Sequence, residues 1–63
     1  MKPYEERLIA ERDDLVERLK RLSAYLGCDD FYQLSKEEQS RLKRQRAAMS
    51  EYRSILDERI EAL

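Results

Sequence analysis

The chain has 63 residues, with 13 Lys and Arg against 14 Asp and Glu, no His, and a single Cys, Gly and Pro. That length holds one small domain and no enclosed active site of ordinary size, and a net charge of −1 withholds the overall basic field of a general nucleic-acid binder. One thiol without imidazole offers no zinc set and no neutral-pH general base, and a lone glycine makes no phosphate loop, so the chain reads as a non-enzyme without metal or cofactor.

A charged fraction of 43% beside an apolar fraction of 41%, with scarcely a helix breaker, suits amphipathic helices. No apolar run exceeds three residues, where a membrane span needs about 20. Glu5 and Glu6 stand where a secretory signal would be apolar. Cys28 has no partner for an internal disulfide, and a reducing, cytoplasmic location is the natural expectation.

The first helix is expected over about 3–26. Leu8, Leu15 and Leu22 recur every seven residues and Leu19 and Leu26 form a second series, together one apolar stripe. Pro3 suits the first helical position, and Glu5 and Glu6 oppose the positive end of the helix dipole. Asp14 with Arg18 and Glu17 with Arg21 make i,i+4 pairs. Gly27 is expected to close this helix in the left-handed conformation.

Residues 27–35 form the connection, with Phe31 and Leu34 tucked under the fold as a lid and a short helical turn started by Asp29 or Asp30. Ser35-Lys36-Glu37-Glu38 fits a capping box, and a second helix follows over about 36–62. Leu42, Met49, Leu56 and Leu63 recur every seven residues along it, broadened by Ala48, Tyr52, Ile55 and Ile60. Two long helices with a short connection predict an all-α fold, an antiparallel hairpin forming a single domain over 1–63.

Both stripes are wider than a two-helix seam requires: Ile9 and Val16 flank one, Ile55 and Ile60 the other. So small a chain without metal or disulfide seldom buries enough apolar surface alone. Pairing hairpins into a homo-oligomeric helical bundle, most simply a dimer, completes the core. Arg18, Lys20, Arg21, Arg41, Lys43, Arg44 and Arg46 gather toward the connection, and Glu5, Glu6, Asp57, Glu58 and Glu61 toward the open end. Head-to-tail pairing sets one half against the other.

Polar residues that interrupt the stripes are the candidate ligand-binding set: Tyr4, Arg12, Gln45, Tyr52 and Arg59. Matching levels along the two helices brings Tyr4 toward Arg59, and Arg12 toward Ser50 and Tyr52. Arginine forks fit phosphate oxygens and tyrosine rings offer stacking faces, so the cluster suits a planar anionic ligand at a bundle interface. Taken singly, each residue is more simply a polar layer that fixes helix register. A second cluster, Arg18, Arg41 and Arg44 with Tyr25, Phe31 and Tyr32, reads chiefly as an aromatic plug. Cys28 reads as a small structural residue.

Leu34-Ser35, Glu38-Gln39, Leu42, Gln45, Met49, Tyr52, Ile55-Leu56 and Arg59-Ile60, with the opening Tyr4-Glu5-Glu6-Arg7-Leu8, resemble a family of small uncharacterised phage proteins named after a crAss-like phage member. The Gln45–Met49–Tyr52–Leu56–Arg59 spacing is its most specific part. The resemblance implies a phage accessory protein in the bacterial host cytoplasm. It further implies a non-enzymatic role against host defence, by sequestering a small anionic nucleotide signal at oligomer interfaces. The alternative is a helical adaptor or inhibitor that docks on a host or phage protein.

Overall fold

The computed structural model describes residues 2–63. Met1, the first position of the domain expected over 1–63, lies outside the described residues. Three helices follow one another, α1 (Pro3–Leu26), α2 (Asp29–Tyr32) and α3 (Lys36–Glu61), and no strand occurs among the described residues.

Helix α1 begins with Pro3 at its first position and acidic Glu5 and Glu6 in its first turn. The Glu5 and Glu6 amides donate to the Lys2 carbonyl at 3.0 and 3.1 Å. The Glu5 carboxylate in turn accepts from the Lys2 amide at 3.4 Å. Asp14 meets Arg18 at 3.1 Å, whereas Glu17 meets Lys20 at 3.6 Å in place of Arg21.

The end of α1 corrects the expected left-handed cap. Gly27 has φ −98° and ψ 1°, and no described residue has a positive φ. The Gly27 and Cys28 amides instead donate to the Ala24 and Tyr25 carbonyls, both at 3.1 Å. These tighter i→i−3 bonds satisfy the last carbonyls directly and lead straight into the start of α2. A Cβ at position 27 would lie 3.6 Å from the Ala24 oxygen and 4.0 Å from that of Ser23, ordinary contacts. Gly27→Ala is therefore expected to stabilise the fold by about 0.5 kcal/mol, by restricting the unfolded chain. A thermal melt at fixed protein concentration should rise by about 3 °C; a fall would mean that the position requires glycine.

Ser35 caps α3, its hydroxyl accepting from the Glu38 amide at 3.1 Å. Only this half of the capping box forms as expected: the Glu38 carboxylate binds Arg41 at 3.1 Å. Beside it, Gln39 is buried, and its amide nitrogen donates to the Leu34 carbonyl at 2.9 Å and reaches that of Tyr32 at 3.5 Å. One side chain thus ties the first turns of α3 to the connection. Gln39→Ala, which leaves the Leu34 carbonyl without this donor, should cost about 1–1.5 kcal/mol in chemical denaturation.

The core lies between α1 and α3. Leu8 and Leu15 cluster with Leu56, and Met49 and Ile60 pack against them. The C-terminal half of α3 therefore lies on the N-terminal half of α1. The longest dimension, 46 Å, is little more than the length of one such helix, ~39 Å at 1.5 Å per residue. At the connecting end Phe31 is 1% exposed. Tyr25 and Tyr32 meet its ring edge-on at 6.3 and 5.2 Å between centroids, and the Lys43 ammonium sits 5.9 Å from its centroid. No helix among the described residues is long and apolar enough to cross a membrane.

Candidate functional site

Leu56 is fully buried against α1 and fixes which way every other residue of α3 faces. At ~100° per residue, Gln45, Tyr52 and Arg59 fall about 20°, 40° and 60° to one side of Leu56, and Arg53 and Asp57 fall about 60° and 100° to the other. On α1, Arg12 falls about 60° to one side of Leu15, and Tyr4 about 20° to the other. The candidate residues thus divide between two flanks.

Arg12 stands on the Asp57 flank. Its Nη1 donates to the Asp57 carboxylate at 2.9 Å and its Nε to Asp13 at 2.8 Å. Asp57 also meets Arg53 at 3.6 Å. The hydrogen bond to Asp57, and after it that to Asp13, raise the Arg12 pKa above the ordinary guanidinium value. This placement corrects the expected approach of Arg12 to Ser50 and Tyr52. Helical side chains lean toward their own N-terminus, so the guanidinium projects back along α1 and meets Asp57, more than a turn beyond the expected level. Its charge is already met by two carboxylates.

The other flank is open. Tyr52 is 42% exposed, Tyr4 48%, and Gln45 and Arg59 are exposed as well. Ile55, exposed at 44%, shares this side of α3. Among the described residues Arg59 has no carboxylate within ion-pairing distance, so its fork is available to an incoming anion. The flank presents two aromatic faces, an amide, a free guanidinium and an aliphatic side chain. That set stacks planar rings and binds anionic oxygens.

Within the second cluster, Arg18 and Arg41 are engaged by Asp14 and Glu38. Arg41 and Arg44 instead line a shallow hollow of about 400 Å³ with Lys36, Glu37 and Ser40. Sequence reasoning missed this grouping, although Lys36, Ser40 and Arg44 stand four residues apart, the spacing of one helix face. It also missed Asp57 as the partner of Arg12. Among the described residues no three His, Cys, Asp or Glu are grouped to hold a metal ion, and Cys28 is a half-buried free thiol.

Fold and flank together define a small all-helical protein with an exposed aromatic and arginine face. Sequence comparison gives it a family: a Sequestin family model matches residues 2–62, and the chain belongs to the Sequestin family. The residues that carry the resemblance to small phage proteins, from Tyr4 to Ile60, all lie within that match; the model bears the name Sequestin and not that of a crAss-like phage. No curated protein and no solved structure matches the chain.

Proposed function

We propose that this protein is a non-enzymatic sequestering protein of phage type, acting in the cytoplasm of a bacterial host, that holds a small anionic nucleotide signal of host defence. The observation that carries the reading is the alignment of Gln45, Tyr52 and Arg59, successively ~10 Å apart, along one exposed flank of α3, with Tyr4 on the same side of α1. The tyrosines supply stacking faces and Arg59 an unpaired fork for phosphate. The family's printed name, Sequestin, suits a protein that binds and withholds. Arg12, held by Asp57 and Asp13 on the opposite flank, contributes to the fold instead.

The reading includes self-association of an antiparallel hairpin into a bundle. The chain exposes 4862 Å², where a compact monomer of its mass exposes about 4,300 Å². Tyr52 and Ile55 remain open in the C-terminal half of α3, and a site on one flank of a hairpin has no facing wall. Another copy supplies it.

A panel of cyclic oligonucleotides and ADP-ribose derivatives, screened by thermal shift and titration calorimetry, tests the proposal. At least one member is expected to bind and raise the melting temperature. A flat response across the panel overturns it. The exposed Ile55 and Leu63 favour a second reading, an adaptor that docks a helix face on a protein. Recovery of one stoichiometric protein partner from bacterial lysate, with no nucleotide bound, would decide for that reading.

A further inference from the structure

Along α3, Arg41, Gln45, Ala48, Tyr52, Ile55 and Arg59 recur in alternating steps of four and three, the spacing of a coiled-coil seam. This seam is distinct from the Met49, Leu56 and Ile60 face that packs on α1. All six residues are exposed, with Ala48 and Tyr52 at the centre of the seam. A second seam on a helix whose first is already occupied is the pattern of a bundle with a missing neighbour.

We infer that a second copy of this chain docks on the seam with its α3 antiparallel, and that each end of the contact brings Arg41 of one copy beside the partner's Arg59 to form a composite site for a phosphate or pyrophosphate group. The inference rests on the sequestration reading for what the ligand is, not for where the copies meet. In an antiparallel seam the residues mesh in layers. The layering that overlaps most of α3 sets Ala48 against the partner's Tyr52 and Gln45 against the partner's Ile55. A small residue therefore faces a large one at the centre, as interdigitation requires.

Charge favours the same orientation. Residues 17–46 carry eight Lys and Arg against five Asp and Glu, and the remaining positions carry five against nine. Antiparallel docking lays the basic half of each chain on the acidic half of the other, with Arg44 opposite the partner's Glu58. Two kinds of contact oppose it, one on the axis and one repeated at each end. Glu51 faces the partner's Glu51 across the axis, and Arg41 faces the partner's Arg59. The Arg41 contact is relieved only in part by Glu38, 3.1 Å from Arg41. The hollow lined by Lys36, Ser40 and Arg44 opens beside Arg41. Around each end, four cations (Lys36, Arg41, Arg44 and the partner's Arg59) meet three carboxylates (Glu37, Glu38 and the partner's Glu58). An anion placed between the two guanidiniums removes their repulsion and is held by both forks.

Disulfide trapping tests the seam. In a Cys28→Ser background, Glu51→Cys places a thiol close to its own copy across the axis, whereas Ser50→Cys lies at the same level on the other side of α3. Both positions are exposed, and far-UV circular dichroism checks that each variant folds. Mild oxidation should convert most of the Glu51→Cys protein to a linked dimer and leave Ser50→Cys monomeric on a non-reducing gel. Equal trapping of both variants, or of neither, overturns the inference.

Inorganic pyrophosphate tests the composite site. Against chloride of equal ionic strength, it should raise the association constant in sedimentation about tenfold, an effect lost in Arg59→Ala. No change, with Glu51→Cys still trapped, overturns the site and leaves the seam. A flat nucleotide panel with both arms positive would overturn the sequestration reading alone.

Discussion

Leu56→Ala is expected to cost about 3–4 kcal/mol of stability, the largest loss of any single truncation in α3. Leu56 is 0% exposed and joins Leu8 and Leu15 in the core cluster. Its removal takes away the α3 side chain at the middle of the core, with Met49 and Ile60 packed to either side of it. A fold of this length has only about 3–9 kcal/mol in hand, so the variant should lose a third or more of its stability. Leu63 provides the internal contrast. It belongs to the same seven-residue series but is 52% exposed beyond the core cluster, and Leu63→Ala should change stability by less than about 0.5 kcal/mol. Urea denaturation at matched protein concentration measures both. Equal losses would mean that the two leucines are equally covered and that the core extends past the end of α1.

The second large effect concerns ligand binding. Tyr52→Ala removes a stacking face, a loss of about 1–3 kcal/mol. Arg59→Ala removes a charge-assisted hydrogen bond of about 1.5–3 kcal/mol. At about 1.4 kcal/mol per decade, Tyr52→Ala should bind the best nucleotide of the panel at least about fivefold more weakly, Arg59→Ala at least about tenfold, and the double variant at least about 60-fold. Arg12→Ala should leave nucleotide affinity within about twofold, because its guanidinium faces Asp57 and Asp13 and affinity follows groups that touch the ligand. Calorimetry reads the affinities, and sedimentation reads the assembly. Loss of binding in Arg59→Ala with the assembly intact supports the site, whereas Tyr52→Ala, which empties the place facing the partner's Ala48, should weaken the assembly as well. If Arg59→Ala instead dissociates the assembly, Arg59 is a packing residue and the ligand lies elsewhere.

The starts of the helices were legible because their signals are local. Pro3 with Glu5 and Glu6 opens α1, and Ser35 three residues before Glu38 opens α3. The burial of Phe31 was legible too, as an aromatic residue in a connection too short to lie apart from the helices it joins. The conformation of Gly27 was not. A glycine after a helix suggests a left-handed turn, and only the bonds from the Gly27 and Cys28 amides to Ala24 and Tyr25 show that those carbonyls are satisfied without one.

The partner of Arg12 was lost to level counting, which ignores the lean of helical side chains. The division of the candidate site was hidden for a related reason. Gln45, Tyr52 and Arg59 lie beside the Leu42, Met49 and Leu56 series in sequence, and a single broad stripe describes both equally well. Only with Leu56 fixed against α1 do they separate into a packed face and an open one. Gln39 gave no warning at all, since its burial depends on carbonyls of the connection that no periodicity reports.

Self-association is the claim on which the sequestration account stands, and sedimentation equilibrium across the micromolar range tests it most directly. A mass of at least two chains of 7.6 kDa is expected, falling toward one on dilution in step with the loss of thermal stability. A single 7.6 kDa species that unfolds cooperatively at every concentration would contradict it.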